Sequence, residues 1–236
     1  MKKVGAGGCR PLFFRNSSCY RFKSVFWPAD RRIDSWKYRR QIRDIQEGEK
    51  MSLKSVYHPY FKIGAAVPAK AFSDARAQEA LLCQYDSFTC ENEMKPQHLL
   101  DEEENRRNPA AHDRCPAVSF QGIRVALDFA RENGMKMRGH TLVWHNQTPR
   151  WFFTESYSDR EDAPLVDRET MLARLEGYIR SVLCFVQEEY PGIIYAWDVV
   201  NEAVEDGALR RSWWTETVGE DFILQAFRFA RKYCAP

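Results

Sequence analysis

The chain has 236 residues, 44% hydrophobic and 14% aromatic, proportions ordinary for a globular protein that buries a core. Its formal charge of +2 is unevenly spread: residues 1–50 hold 13 Lys and Arg against 5 Asp and Glu, and residues 51–236 hold 22 against 28. The mildly acidic body argues against a nucleic-acid surface, and no run approaches the ~18 consecutive apolar residues of a membrane span.

The first 50 residues show no sustained periodicity and read as a basic leader, either a linker or a misassigned start with initiation at Met51. Lys2 and Lys3 are followed by no apolar h-region, so a secretory signal is not supported and a cytoplasmic product is the default. Secretion stays open while the start is in question. Aromatics (Phe13, Phe14, Tyr20, Phe22, Trp27, Trp36, Tyr38) are interleaved with the leader's Arg and Lys, which leaves a base-stacking arm as an alternative use. The seven cysteines (Cys9, Cys19, Cys83, Cys90, Cys115, Cys184, Cys234) are odd in number, scattered and without CxxC spacing, as reduced thiols are.

From Phe61 onward short apolar runs alternate with helical patterns, the signature of βα units on a parallel sheet. The strand candidates are Phe61 to Val67, Phe88 to Met94, Met135 to Trp144 and Tyr195 to Ala203. A helix follows each. Ser73 is positioned to cap one running to about Tyr85, and Ser119 to cap another that carries Ile123, Leu127 and Ala130 to a stop at Gly134. The third starts near Asp167, places Met171, Leu172, Leu175, Tyr178, Ile179, Val182 and Val186 at helical spacing, and ends at Pro191-Gly192. The fourth runs from about Glu220 through Phe222, Ile223, Ala226, Phe227 and Ala230. More than 20 residues after the second strand, including the acidic run Asp101 to Glu104, read as a loop without periodicity. A similar loop follows the third strand, and long loops after strands are where an α/β barrel keeps its active site.

Polar residues cluster at the ends of three of these strands: Glu91 to Lys95, His140 to Gln147, and Asn201-Glu202. Carboxylates, amides, imidazoles and indoles converging in this way describe a cleft suited to sugars, whose hydroxyls need many hydrogen-bond partners while their ring faces pack on aromatics. His140 and His145 lie five apart on a strand and its exit, where alternation separates them, and no third ligand has helpful spacing, so no metal or other cofactor is implied. Period-two alternation turns Glu93 away from the face used by Asn92, where it would brace the site from behind.

GAAV at 64–67, TCENEMKP at 89–96, RGHTLVWHNQTPRWF at 138–152 and WDVVNEAVEDG at 197–207 together resemble the signature blocks of family 10 glycoside hydrolases, the endo-1,4-β-xylanases, in the family's order and spacing. The resemblance covers roughly residues 51–236 and implies a (β/α)8 TIM barrel of which this sequence holds about the first four βα units. It implies hydrolysis of β-1,4-xylan with retention, by a Glu acid/base and a Glu nucleophile. Glu202 matches the acid/base and Asn201 the residue that binds the sugar 2-hydroxyl. His140, Trp144 and Gln147 match positions lining the glycone subsites, and Glu91, Asn92 and Lys95 the opposite wall. A carboxylic acid in this role must stay protonated near neutral pH and then return as a base, which calls for a second carboxylate and partial burial.

Two departures stand out. Cys90 occupies a position where the family usually has a small residue. The family's nucleophile belongs to the end of a seventh strand, and Glu205, Glu216 and Glu220 all follow the fourth, so none can straddle a sugar with Glu202 at the ~5–5.5 Å of a retaining pair. The chain alone is therefore expected to be an inactive fragment. Its alternatives are a non-catalytic fragment that binds xylan or xylo-oligosaccharides, and a glycosidase for another β-1,4-glycan.

Overall fold

The computed structural model describes residues 51–234. The expected leader, residues 1–50, and the basic-aromatic arm considered within it lie outside the described residues.

A short helix, α1 (Leu53–Tyr57), is capped by Ser52 and precedes the first strand, β1 (Gly64–Val67). Helix α2 (Ala75–Gln84) leads to β2 (Ser87–Cys90), and helix α6 (Gln121–Glu132), after three intervening short helices described below, leads to β3 (Lys136–Trp144). Helix α7 (Arg168–Glu189) connects β3 to β4 (Ile194–Asn201). The four strands form one sheet in the order β1-β2-β3-β4, with every neighbouring pair parallel. Each crossover carries a helix, as parallel pairing requires, and the result is four successive βα units on one parallel sheet. Along β3, Met137 and Gly139 are buried and Arg138 is exposed, so helices cover one face and leave the other polar.

Several boundaries differ from those the sequence predicts. Strand β1 begins at Gly64 rather than Phe61, and β2 stops at Cys90 rather than Met94. The Glu91–Lys95 segment is therefore a turn beyond the sheet, where alternation no longer governs side-chain direction. Asp74 rather than Ser73 caps α2, because Ser73 closes a 3-10 turn over Ala69–Ser73 and the Asp74 carboxylate accepts from the N–H groups of Arg76 and Ala77. Phe120 rather than Ser119 stands at the start of α6, with no side-chain cap.

The predicted loop after β2 contains those three short helices, α3 (Pro96–Leu99), α4 (Glu102–Arg107) and α5 (Pro109–His112). Proline opens α3 and α5, and Asp101 caps α4, whose first turn is acidic and whose last turn is basic in the sense that complements the helix dipole. The fully buried Asn105 holds this segment together, giving hydrogen bonds to the carbonyls of Asp101 and Ala117 and accepting one from the Ala117 N–H.

After β4 comes a hairpin that periodicity does not show, β5 (Val204–Glu205) and β6 (Ala208–Leu209), turning through Asp206 and Gly207 with φ of 51° and 80°. Positive φ at both central residues is the hairpin geometry that Asp-Gly favours. Helices α8 (Trp213–Thr217) and α9 (Phe222–Tyr233) complete the described residues.

The core lies between sheet and helices. Ile123, Leu127 and Ala130 of α6 and Met171, Leu175, Tyr178, Ile179, Val182 and Val186 of α7 are buried in it as their spacing predicts. On α9, Phe222, Ala226 and Ala230 are buried but Phe227 is 51% exposed. Gly139 marks the tightest sheet contact: a Cβ there would lie 2.3 Å from the Trp197 indole on β4. All five cysteines among the described residues are free thiols. Burial raises the Cys90 thiol to a pKa of about 12, with the nearby Glu93 charge adding to the effect, which leaves Cys90 an inert core residue. No helix among the described residues is long and apolar enough to cross a membrane.

Candidate active site

The C-terminal ends of β2, β3 and β4 bring the predicted polar residues to one rim. Strand β4 ends at Asn201, and Glu202 turns out of the sheet with φ of 49°. Left-handed backbone is unfavourable for a residue with a side chain and persists where its surroundings impose it. The turn leaves Glu202 exposed, with its Oε2 accepting a 3.0 Å hydrogen bond from Trp144 Nε1.

Trp144 is the hub of the rim. Its carbonyl accepts from Thr148 Oγ1 at 2.7 Å and from the indole Nε1 of the buried Trp214 at 3.0 Å, which fixes the backbone from beneath. Lys95 Nζ lies 4.9 Å from the Trp144 ring centroid and donates to Asn92 Oδ1 at 3.1 Å. Gln147 Nε2 donates to the same Asn92 oxygen at 3.4 Å. Gln147, Asn92, Lys95, Trp144 and Glu202 thus form one continuous chain of contacts across three strand ends. Asn201 pairs in register with Trp144, and Glu91 stands exposed where β2 leaves the sheet.

His140 lies one layer below, its ring 6.5 Å from that of Trp144 and its Nδ1 3.0 Å from Asp198 Oδ2. The Asp198 carboxylate also receives two 3.0 Å hydrogen bonds from Arg138 Nε and a third, from Nη2. Burial pushes the Asp198 carboxyl up, but the hydrogen bonds and charges of Arg138 and His140 prevail and hold it below the ordinary carboxylate range. The His140–Thr141 peptide bond is cis, and the pairing of β3 with β4 is irregular between His140 and Val143.

Glu93 points away from the rim, and its carboxylate accepts from the backbone N–H groups of Ala69 and Asn92. It ties the β1 and β2 exits together, the bracing place expected of it, although hydrogen bonds in a turn rather than strand alternation set its direction.

His145 and Arg210 are additions that motif reading does not single out as a pair. His145 stacks edge-on to Trp144 with centroids 5.7 Å apart, and its buried Nδ1 has no hydrogen-bond partner among the described residues. Burial lowers the His145 pKa and the Arg210 charge lowers it further, against the opposing pull of Glu202 and Glu205. Arg210 reaches this neighbourhood because the β5–β6 hairpin folds back, and only that turn chemistry, Asp206-Gly207, hints at it in sequence. Among the described residues no group of three or more His, Cys, Asp or Glu is placed to hold a metal ion.

Comparison with known proteins places this rim in context. The family model for Glycosyl hydrolase family 10 matches residues 52–236. Endo-1,4-beta-xylanase B of Butyrivibrio fibrisolvens is 58% identical over 186 residues, 79% of this chain and 29% of that protein. Endo-1,4-beta-xylanase A of Thermotoga maritima is 41% identical over 204 residues, 85% of this chain and 18% of that protein. Among solved structures, the CBM22-1–GH10 modules of the Clostridium thermocellum endo-1,4-beta-D-xylanase 10B, complexed with xylohexaose, superpose with a TM-score of 0.71 at 35% identity, covering 78% of this chain and 38% of that one. The chain spans less than a third of the length of these two curated relatives.

Proposed function

The chain belongs to glycosyl hydrolase family 10, and on that footing we propose that it carries the acid/base half of a retaining endo-1,4-β-xylanase site, with Glu202 as proton donor. The observation that carries this reading is the Glu202 carboxylate anchored through one oxygen to the Trp144 indole and exposed at a rim lined by Asn92, Lys95, Gln147 and Asn201. Trp144 Nε1 donates to Oε2, which leaves Oε1 to carry the proton that passes to the glycosidic oxygen as the C–O bond breaks.

In such a reaction a second carboxylate attacks the anomeric carbon from the opposite face, and a covalent glycosyl intermediate forms. Glu202, now ionised, then takes a proton from the water that releases the sugar. Asn201 is suited to the 2-hydroxyl, whose hydrogen bond strengthens in the transition state, and Lys95 and His140 to neighbouring hydroxyls. The second carboxylate belongs, on this reading, to the βα units of the family barrel that lie outside the four strands described. The 236-residue chain then binds xylo-oligosaccharides on its glycone wall without turning xylan over.

Two measurements test the proposal. Titrating the chain with xylo-oligosaccharide should give a saturable change in tryptophan fluorescence, and purified chain should release no reducing sugar from xylan. In a protein extended to the whole barrel, Glu202→Gln should lower kcat on xylan by about 100- to 10,000-fold. Full turnover by that variant would remove Glu202 from the role, and turnover by the 236-residue chain would refute the half-site reading.

A further inference from the structure

Glu202 sits in the left-handed region, a strained place for a residue with a side chain. Arg210, eight residues on, closes over the turn from three directions. Its Nε donates to the Glu202 carbonyl at 3.1 Å, its Nη1 donates to Glu205 Oε1 at 2.7 Å, and its backbone N–H donates to the Ala203 carbonyl at 2.8 Å. The backbone bond belongs to any residue at this place in the hairpin, but the two side-chain bonds need a planar fork with donors at Nε and a terminal nitrogen. The arginine side chain is 23% exposed and partly screened from water.

We propose that Arg210 is a positioning residue for Glu202. Its guanidinium ties the Glu202 carbonyl to the hairpin carboxylate of Glu205 and so holds the left-handed turn that delivers the Glu202 side chain to the Trp144 indole. The charged groups facing it are Glu202 and Glu205 from the turn and hairpin, and His145 from the exit of β3, which the positive charge of Arg210 helps to keep neutral. The inference deepens the reading of Glu202 as acid/base and rests on it for its functional meaning, but its geometry is testable without turnover.

The test uses the 236-residue chain labelled with 15N at tryptophan and histidine. The Trp144 Nε1–H resonance should shift in Glu202→Gln, which identifies its hydrogen bond to the Glu202 carboxylate. In Arg210→Met the Trp144 resonance should leave its parental position, and the His145 titration midpoint should rise because a positive neighbour has gone. Arg210→Lys should return the His145 midpoint toward that of the parent, since the charge is kept, and should leave the Trp144 resonance displaced, since one ammonium cannot replace the fork. A merely structural role would not separate these two readouts. Should Arg210→Met fail to fold by far-ultraviolet circular dichroism, Arg210→Lys decides alone. A Trp144 resonance at its parental position in a folded Arg210 variant overturns the positioning role and leaves the acid/base assignment standing. Turnover that survives Glu202→Gln in the extended protein removes the assignment without altering the Trp144 measurement.

Discussion

At the scale of single residues, His145 shows how closely the rim is set against water. Its Nδ1 is buried without a partner among the described residues, and burial, followed by the Arg210 charge, depresses its pKa. In the unfolded chain a histidine takes up a proton near its ordinary value of ~6.5, whereas here the folded state resists it. The unfolded state therefore binds more protons just below that value, and stability present above pH ~6.5 is lost as pH falls toward the depressed folded value. Thermal midpoints of the parent chain should drop between pH 7.5 and pH 5 more than those of His145→Gln, and equal drops would show that His145 does not carry the effect. Glu202, Asn201, Trp144, Gln147, Asn92 and Lys95 were legible in the sequence because each lies at or just beyond a strand end, where a short motif fixes both type and place. Arg210 and the environment of His145 were not, because they depend on a hairpin folding back across the site.

At the scale of elements, one side chain ties together three segments that sequence periodicity treats as separate. Arg174 of α7 is fully buried, donates to the carbonyls of Asp113, Phe152 and Thr154, pairs with the Asp113 carboxylate at 2.8 Å, and stacks 4.0 Å over the Tyr157 ring. It thereby joins the segment after α5 and the aromatic turn after β3 to α7. An arginine inside an otherwise apolar helical stripe reads in sequence as one polar interruption, and nothing local says that its partners are carbonyls in distant loops. Arg174→Met keeps much of the stem but leaves buried carbonyls without donors, so it should destabilise the fold by about 2–4 kcal/mol. Urea unfolding should show a lower midpoint at unchanged slope; a midpoint shift within error would mean that the loops satisfy those carbonyls in another way. The existence of the four long helices, α2, α6, α7 and α9, was readable, because amphipathic spacing and end residues such as Asp167 and Gly134 are strong local signals. The short helices after β2 were not, since each is too brief for periodicity and is held by proline, Asp101 and Asn105 instead.

At the scale of the molecule, the parallel sheet has two edges among the described residues, β1 and β4, whereas a closed barrel has none. The fold class was legible from the alternation of strands and helices, but the consequence for the β4 edge becomes visible only in three dimensions. Beside β4 runs a groove of about 500 Å³ whose lining includes Leu183, Tyr190, Ile194, Trp197, Val199 and Phe227. Tyr195 on the strand is 44% exposed, and Phe227 and Leu224 on α9 are each 51% exposed. Phe222, Ala226 and Ala230 of α9 are buried, whereas Phe227 lines this groove and is exposed there, with no further unit packed against it among the described residues. An open parallel edge flanked by exposed aromatics favours association with other chains, and charge placed on such an edge opposes it. Light scattering on the 236-residue chain should therefore show an average mass that rises with concentration. The Tyr195→Lys, Phe227→Glu double variant should hold the monomer mass over the same range, because both substitutions put charge at exposed positions without touching the core. A parent chain that stays monomeric throughout would mean that the twist of the sheet and the polar groups around β4 already suffice to protect the edge.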